Sequence, residues 1–187
     1  LSRRQRQMCI RDRSELKEFT VEAGRPDSIT REKLEVIRRY PVTRISVNPQ
    51  TMQQKTLDLV GRKHTVEDVE RIFHMARELG FDNINMDLIA GLPYEDMGSF
   101  IRSFNDVYSM RPQQLQLGFL KVLKGSYLEE MAQTYGIVYQ NCPPYEVLYT
   151  KWLSYGDIIR LKRVEEMVEL YYNSNQFTHL ILSLIHI

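Results

Sequence analysis

The sequence predicts an α/β fold in which four parallel strands form part of a barrel wall. Three observations carry that expectation: strand-like segments alternating at period two, helical patterns between them, and a polar row that persists in every strand. Thr20 and Glu22 alternate with Phe19, Val21 and Ala23; Arg44, Ser46, Asn48 and Gln50 with Ile45 and Val47. Asn83, Asn85 and Asp87 alternate with Ile84, Met86 and Leu88, and Gln114, Gln116 and Gly118 with Leu115, Leu117 and Phe119. Helical crossovers make consecutive strands parallel. A doubly wound sheet, covered on both faces, would read as nearly continuous apolar runs. A polar row on one face suits instead a barrel wall lining a wet lumen. The alternative, an antiparallel sheet with one solvated face, sits awkwardly with helical crossovers.

In chain order, the strand from Phe19 to Ala23 ends at the breaker-rich turn Gly24-Arg25-Pro26-Asp27. Thr30 is the expected N-cap of a helix burying Leu34 and Ile37. A second strand, Val42 to Asn48, closes on Pro49-Gln50-Thr51, and a short helix and loop fill Gln53 to Lys63. Thr65 and Asp68 resemble a capping box ahead of the stripe Val69, Ile72, Phe73, Ala76 and Leu79, with Gly80 as the C-terminal cap. The third strand stops at Gly91-Leu92-Pro93, leaving the Asp87 carboxylate near its C-terminal end, where parallel α/β folds hold ligands. A helix from Met97 to Met110 precedes the fourth strand, Gln114 to Leu120. Beyond it a short helix is expected over Gly125 to Tyr135, a breaker cluster at Asn141 to Pro144, and a largely helical run from Tyr145 to Asn173. The expected division is thus a partial barrel over 14–128 and a helical extension over 129–181.

The totals set the class. A chain of 187 residues, 43% hydrophobic with a formal charge of +1, can bury one core and gives no reason to invoke nucleic acid. No apolar run approaches a membrane span and the start lacks a signal-peptide layout, so a cytoplasmic location is the expectation. Two cysteines, Cys9 and Cys142, make no disulfide framework. The ends stand apart: Met8 to Arg13 and Leu182 to Ile187 can be encoded by nearly reverse-complementary DNA strings resembling a transposon-end sequencing adapter. Residues 1–13 and 182–187 are therefore read as adapter-derived scars.

No His/Cys cluster at metal-ligand spacing, Gly-rich phosphate loop or serine elbow is present, and no residue is assigned a catalytic or metal-binding role. His64, His74, His179 and His186 read as surface residues. What remains is Glu22, Gln50, Arg62 and Asp87, drawn from successive strand-helix units and expected on one rim. Two carboxylates and an amide suit a diol and an amine, and an arginine suits a carboxylate, which together describe a polar, zwitterionic small molecule. The competing reading makes Glu22 and Arg62 an ordinary ion pair and Asp87 a turn cap.

The segments Phe19 to Pro26, Arg44 to Thr51 and Asn85 to Pro93, in that order, resemble radical S-adenosylmethionine enzymes, specifically the oxygen-independent coproporphyrinogen dehydrogenase branch, over residues 18–93. The resemblance implies a partial (β/α)6 barrel, of which this chain carries four strands. It further implies a [4Fe-4S] cluster with S-adenosylmethionine in the lumen, an external electron donor, and hydrogen abstraction from a small-molecule substrate by a 5'-deoxyadenosyl radical. Carried over by motif, Glu22 and Gln50 contact the nucleoside or methionine part of S-adenosylmethionine, Arg62 its carboxylate and Asp87 its ribose region. Residues 94–177, including Pro144 to Asp157, resemble a branch with a cobalamin-binding domain and a C-terminal domain of unknown function. A joined sequence with its seam in Leu88 to Pro93 is one reading of that change. The cysteine triplet C-x-x-x-C-x-x-C is absent, so the resemblance implies an inactive fragment with open strand edges. Three parents follow: a coproporphyrinogen dehydrogenase-like enzyme, a cobalamin-dependent radical enzyme, or a non-catalytic scaffold.

Overall fold

The computed structural model describes residues 18–174 and Gln176. Residues 1–13 and 182–187, for which adapter-derived scars are the expectation, lie outside the described residues, as do Cys9, His179 and His186. Four strands, β1 (Thr20–Gly24), β2 (Arg44–Gln50), β3 (Ile84–Ala90) and β4 (Gln114–Phe119), form one sheet in that order, and all three pairings are parallel. The antiparallel alternative is thereby excluded.

Parallel register turns the period-two alternation into two distinct faces. Glu22 lies opposite Ser46, Ser46 opposite Asn85 and Asn85 opposite Gln114, so a polar row crosses the sheet. Asp87 and Gln116 begin the next row. On the other face Ile45, Val47, Ile84, Met86, Leu88 and Leu115 are all buried. They share a core with Val69, Ile72, Phe73 and Ala76 of α3 (Val66–Glu78) and with Phe100 and Val107 of α4 (Met97–Ser109). At about 1.5–3 kcal/mol per buried large apolar side chain, this face supplies most of the drive to fold.

Local signals place the helices. The Thr30 hydroxyl accepts from the Lys33 N–H and starts α1 (Arg31–Arg38). A capping box between Thr65 and Asp68 starts α3, and a second between Asp96 and Ser99 starts α4. The short α2 (Gln54–Leu59) lies between β2 and α3.

After β4 come α5 (Tyr127–Glu130) and α6 (Ala132–Tyr135), which divide the expected Gly125 to Tyr135 helix in two. The expected helix from Tyr145 begins only at Tyr155. Before it, β5 (Val138–Tyr139) pairs antiparallel with β6 (Val147–Tyr149), and helix α7 (Tyr155–Met167) starts at a capping box of Ser154 and Asp157. The run Val147-Leu148-Tyr149 suits an extended chain as readily as a helix, and the Ser154 cap fixes the boundary. A π-helical segment, Val168–Asn173, continues α7 and reaches the outer edge of β4. There the Asn173 amide accepts from the Leu115 N–H at 2.9 Å and donates to the Leu115 carbonyl at 3.0 Å. The edge expected to be open is thus partly satisfied.

β6 also packs against the turn that ends β3. Gly91 has φ +90, and a Cβ there would come within 2.7 Å of the Val147 Cγ1. Gly91→Ala should therefore cost about 2 kcal/mol or more, combining left-handed strain with overpacking. Urea unfolding checks this, and Val147→Ala in the same chain should recover part of the loss.

Candidate functional site

The site grows from the C-terminal ends of β2 and β3. Asp87 sits on the polar face opposite Gln116, one strand in from Gln50 at the end of β2. Burial pushes the Asp87 carboxyl up to about 6. The Gln50 backbone N–H and the Arg62 guanidinium oppose that shift, and the Glu22 carboxylate adds to it. Gln50, Arg62 and Glu22 therefore each lie within electrostatic reach of Asp87.

Gln50 is held with φ +67, a left-handed conformation uncommon outside glycine, and the β2–β3 register shifts between Val47 and Gln50. Strain of this kind turns a backbone N–H out of its ladder and toward a side chain. Arg62 follows Gly61, and the Gly61 carbonyl accepts from Arg25 at 3.1 Å. Burial and repulsion from Arg25 hold its pKa below the usual value, while Asp87 and Asp27 draw it back up. Glu22 is exposed and accepts from the Asn48 side-chain amide at 2.6 Å. Among the described residues neither Glu22 nor Asp87 forms an ion pair with Arg62 within 4 Å.

Among these four residues, two atoms are left wanting. Asp87 Oδ1 and Arg62 Nη1 are both buried without a hydrogen-bond partner. Orphaned groups of this kind cost about 1–3 kcal/mol each, and a ligand offering a hydroxyl donor to one and a carboxylate acceptor to the other would recover it. Asp87 lines a cavity of about 540 Å³ that runs along Gln116 and Gly118 to Lys121, Glu146 and Glu165; Arg62, Gln50 and Glu22 are not part of its lining. That volume suits a small molecule.

Two buried ionisable groups escaped the sequence reading. His64, expected at the surface, is fully buried; burial and Arg62 push its pKa down, while Asp27 and the Pro49 backbone draw it back up. Its place directly before the Thr65 cap gave no sign of burial, whereas His74 is exposed as expected. Glu95 is also buried, and its Oε1 accepts from the Thr51 hydroxyl at 2.5 Å. It follows the Gly91-Leu92-Pro93 turn and precedes the Asp96 cap, where an acidic residue ordinarily marks an exposed helix start.

Residues 4–107 match the Radical SAM superfamily. The chain belongs to that superfamily. Residues 133–187 match a second family, described as a protein of unknown function (DUF4080). The chain is 41% identical over 126 residues to the oxygen-independent coproporphyrinogen-III oxidase-like protein HemZ of Bacillus subtilis (strain 168), covering 67% of this chain and 25% of that one. It is 32% identical over 152 residues to the heme chaperone HemW of the same organism, covering 79% and 40%. The chain thus spans about a quarter to two-fifths of these relatives' lengths. Both alignments are too long to lie on one side of the Leu88 to Pro93 turn. Among solved structures, the coproporphyrinogen III oxidase HemN of Escherichia coli superposes with a TM-score of 0.60 at 22% identity, over 88% of this chain and 36% of that one. The partial barrel and the coproporphyrinogen oxidase-like resemblance are both shown by these matches.

Glu95 makes stability depend on pH. Burial raises its carboxyl to about 7, against hydroxyl contacts from Thr51 and Thr56 that lower it, and Asp96 raises it further. A folded value above the unfolded one means the folded chain binds the extra proton. The stabilisation is therefore complete below about pH 4.5 and is lost as pH rises to about 7, a change on the order of 2–3 kcal/mol. Urea midpoints measured across that window should fall with pH, and Glu95→Gln should flatten much of the slope.

Proposed function

We propose that the polar face formed by Glu22, Gln50, Arg62 and Asp87 is the S-adenosylmethionine-binding wall of a coproporphyrinogen dehydrogenase-like radical enzyme, of which this chain is a piece. The observation that carries the reading is the pair of orphaned atoms, Asp87 Oδ1 and Arg62 Nη1, set in one electrostatic cluster with Gln50 and Glu22. Asp87 would accept from a ribose hydroxyl and Arg62 would hold the methionine carboxylate. Glu22 and the Gln50 amide would take the nucleoside or the amine.

The iron-sulfur cluster does not fit this chain. Its two cysteines, Cys9 and Cys142, replace none of the three closely spaced thiolates such a cluster requires. Radical generation is accordingly assigned to the parent protein with its electron donor, and the 187 residues alone are expected to be inactive. The similarity to a coproporphyrinogen oxidase-like protein supports a porphyrin-related small-molecule substrate. Among the described residues no helix is long and apolar enough to cross a membrane.

A second reading rests on the C-terminal match to a family of unknown function and assigns the parent to the cobalamin-dependent branch. The alignments that run through the Leu88 to Pro93 turn favour treating both halves as one barrel, and hence the first reading. A third, suggested by the similarity to a heme chaperone, is a binding domain that performs no radical chemistry.

Isothermal titration with S-adenosylmethionine tests the main proposal. Weak binding by the 187-residue chain should fall at least tenfold in Arg62→Ala and in Asp87→Asn, and be unaltered in the exposed control His74→Ala. No binding at millimolar ligand, or equal binding by all four proteins, would sink it.

A further inference from the structure

The turn that follows Gln50 is held by a polar cluster buried beneath the site. Thr51 is 1% exposed, Ser103 1% and Glu95 1%. The Thr51 hydroxyl donates to Glu95 Oε1 at 2.5 Å and accepts from the Gln53 N–H at 3.1 Å. Ser103, on the buried stripe of α4, accepts from the Met52 N–H and from the Gln53 side-chain amide, each at 3.2 Å. The Thr56 hydroxyl donates to the Pro93 carbonyl at 3.4 Å. Three elements meet here: the turn leaving β2, the turn leaving β3, and α4.

A carboxyl group at this place is costly unless it does something the apolar core cannot. Its bonded oxygen ties the β3 exit, which follows Asp87, to the β2 exit, which follows Gln50. Gln50 itself is held in a left-handed conformation that an unrestrained glutamine would leave.

We propose that Glu95 is a positioning residue, acting through Thr51 to hold the strained Gln50 turn against Asp87 so that the two loops carrying the site move as one unit. The inference rests on the reading of Gln50 and Asp87 as ligand-binding residues. The clamp itself is testable without ligand. In its absence the Gln50 backbone relaxes, its N–H swings away from Asp87, and the carboxyl loses an interaction that favours its charged form.

The test follows two signals in the ligand-free 187-residue chain by NMR: the Asp87 side-chain carbon through a pH titration, and hydrogen exchange of the Gln50 amide. Thr51→Val keeps the shape and removes the hydroxyl; Glu95→Leu removes the acceptor; Glu95→Gln keeps an acceptor oxygen. In Thr51→Val and Glu95→Leu the Asp87 midpoint should move upward and Gln50 exchange should quicken at least tenfold. Glu95→Gln should restore both to near the parent values. Amides of the buried stripe of α3, from Val69 to Ala76, serve as the internal reference and should be unchanged. If Glu95→Leu does not fold, Thr51→Val alone decides. An unmoved Asp87 midpoint in Thr51→Val, or exchange in α3 that quickens as much as at Gln50, overturns the proposal. Loss of S-adenosylmethionine binding by the parent chain would count against the functional reading and leave these ligand-free signals as they are.

Discussion

Parallel, in-register pairing is the constraint on which the rest of the molecule depends. Because residues opposite one another across a parallel ladder share a face, a period-two pattern repeated in four strands necessarily produces one apolar wall and one polar wall. The apolar wall binds α3 and α4 and generates the core. The other side carries Glu22, Ser46, Asn85 and Asp87, of which Ser46 Oγ, Asn85 Oδ1 and Asp87 Oδ1 are buried without a hydrogen-bond partner. The site is therefore a by-product of register as much as of individual residues, and a one-residue slip in β3 would carry Asp87 into the core and Met86 into the lumen.

Much of this was legible in the sequence because alternation and caps are local signals. The four strands, the Thr65 capping box and the Asp87 position all follow from residues within a few places of one another. What escaped depends on contacts distant in the chain. His64 is fully buried, yet its position before a helix cap is one that exposed histidines also occupy. Glu95 stands next to Asp96, and only the fold shows that one carboxylate caps α4 while its neighbour points inward to Thr51, 44 residues away. The stretch from Tyr145 to Ser154 reads as helical in the sequence because tyrosine, valine and leucine serve strands and helices alike when flanked by packing partners. Of the four candidate residues, Glu22, Gln50 and Asp87 follow from strand parity and Arg62 from its loop and the resemblance, yet nothing local signals the left-handed backbone at Gln50.

Burial tunes the site by removing water from groups that would otherwise titrate independently. Asp87, Arg62 and His64 each shift toward neutrality for that reason; attraction between Asp87 and Arg62 partly opposes it, whereas Arg62 drives His64 further the same way. Such a cluster is more sensitive to a charged ligand than an exposed one, since any carboxylate or hydroxyl entering it acts in a low-dielectric setting.

The Asn173 side chain imitates a peptide unit, presenting one acceptor and one donor to Leu115 where a fifth strand would offer its backbone. A side chain can do this at a single residue, whereas a strand does it along its length. Any strand extending the sheet past β4 must evict that amide, and with it the π-helical segment that carries it. Growth of the sheet on that side is thereby a competition between two occupants of one edge. The C-terminal segment is then a plug as well as a cover, favouring a finite sheet over continued addition of strands from neighbouring chains.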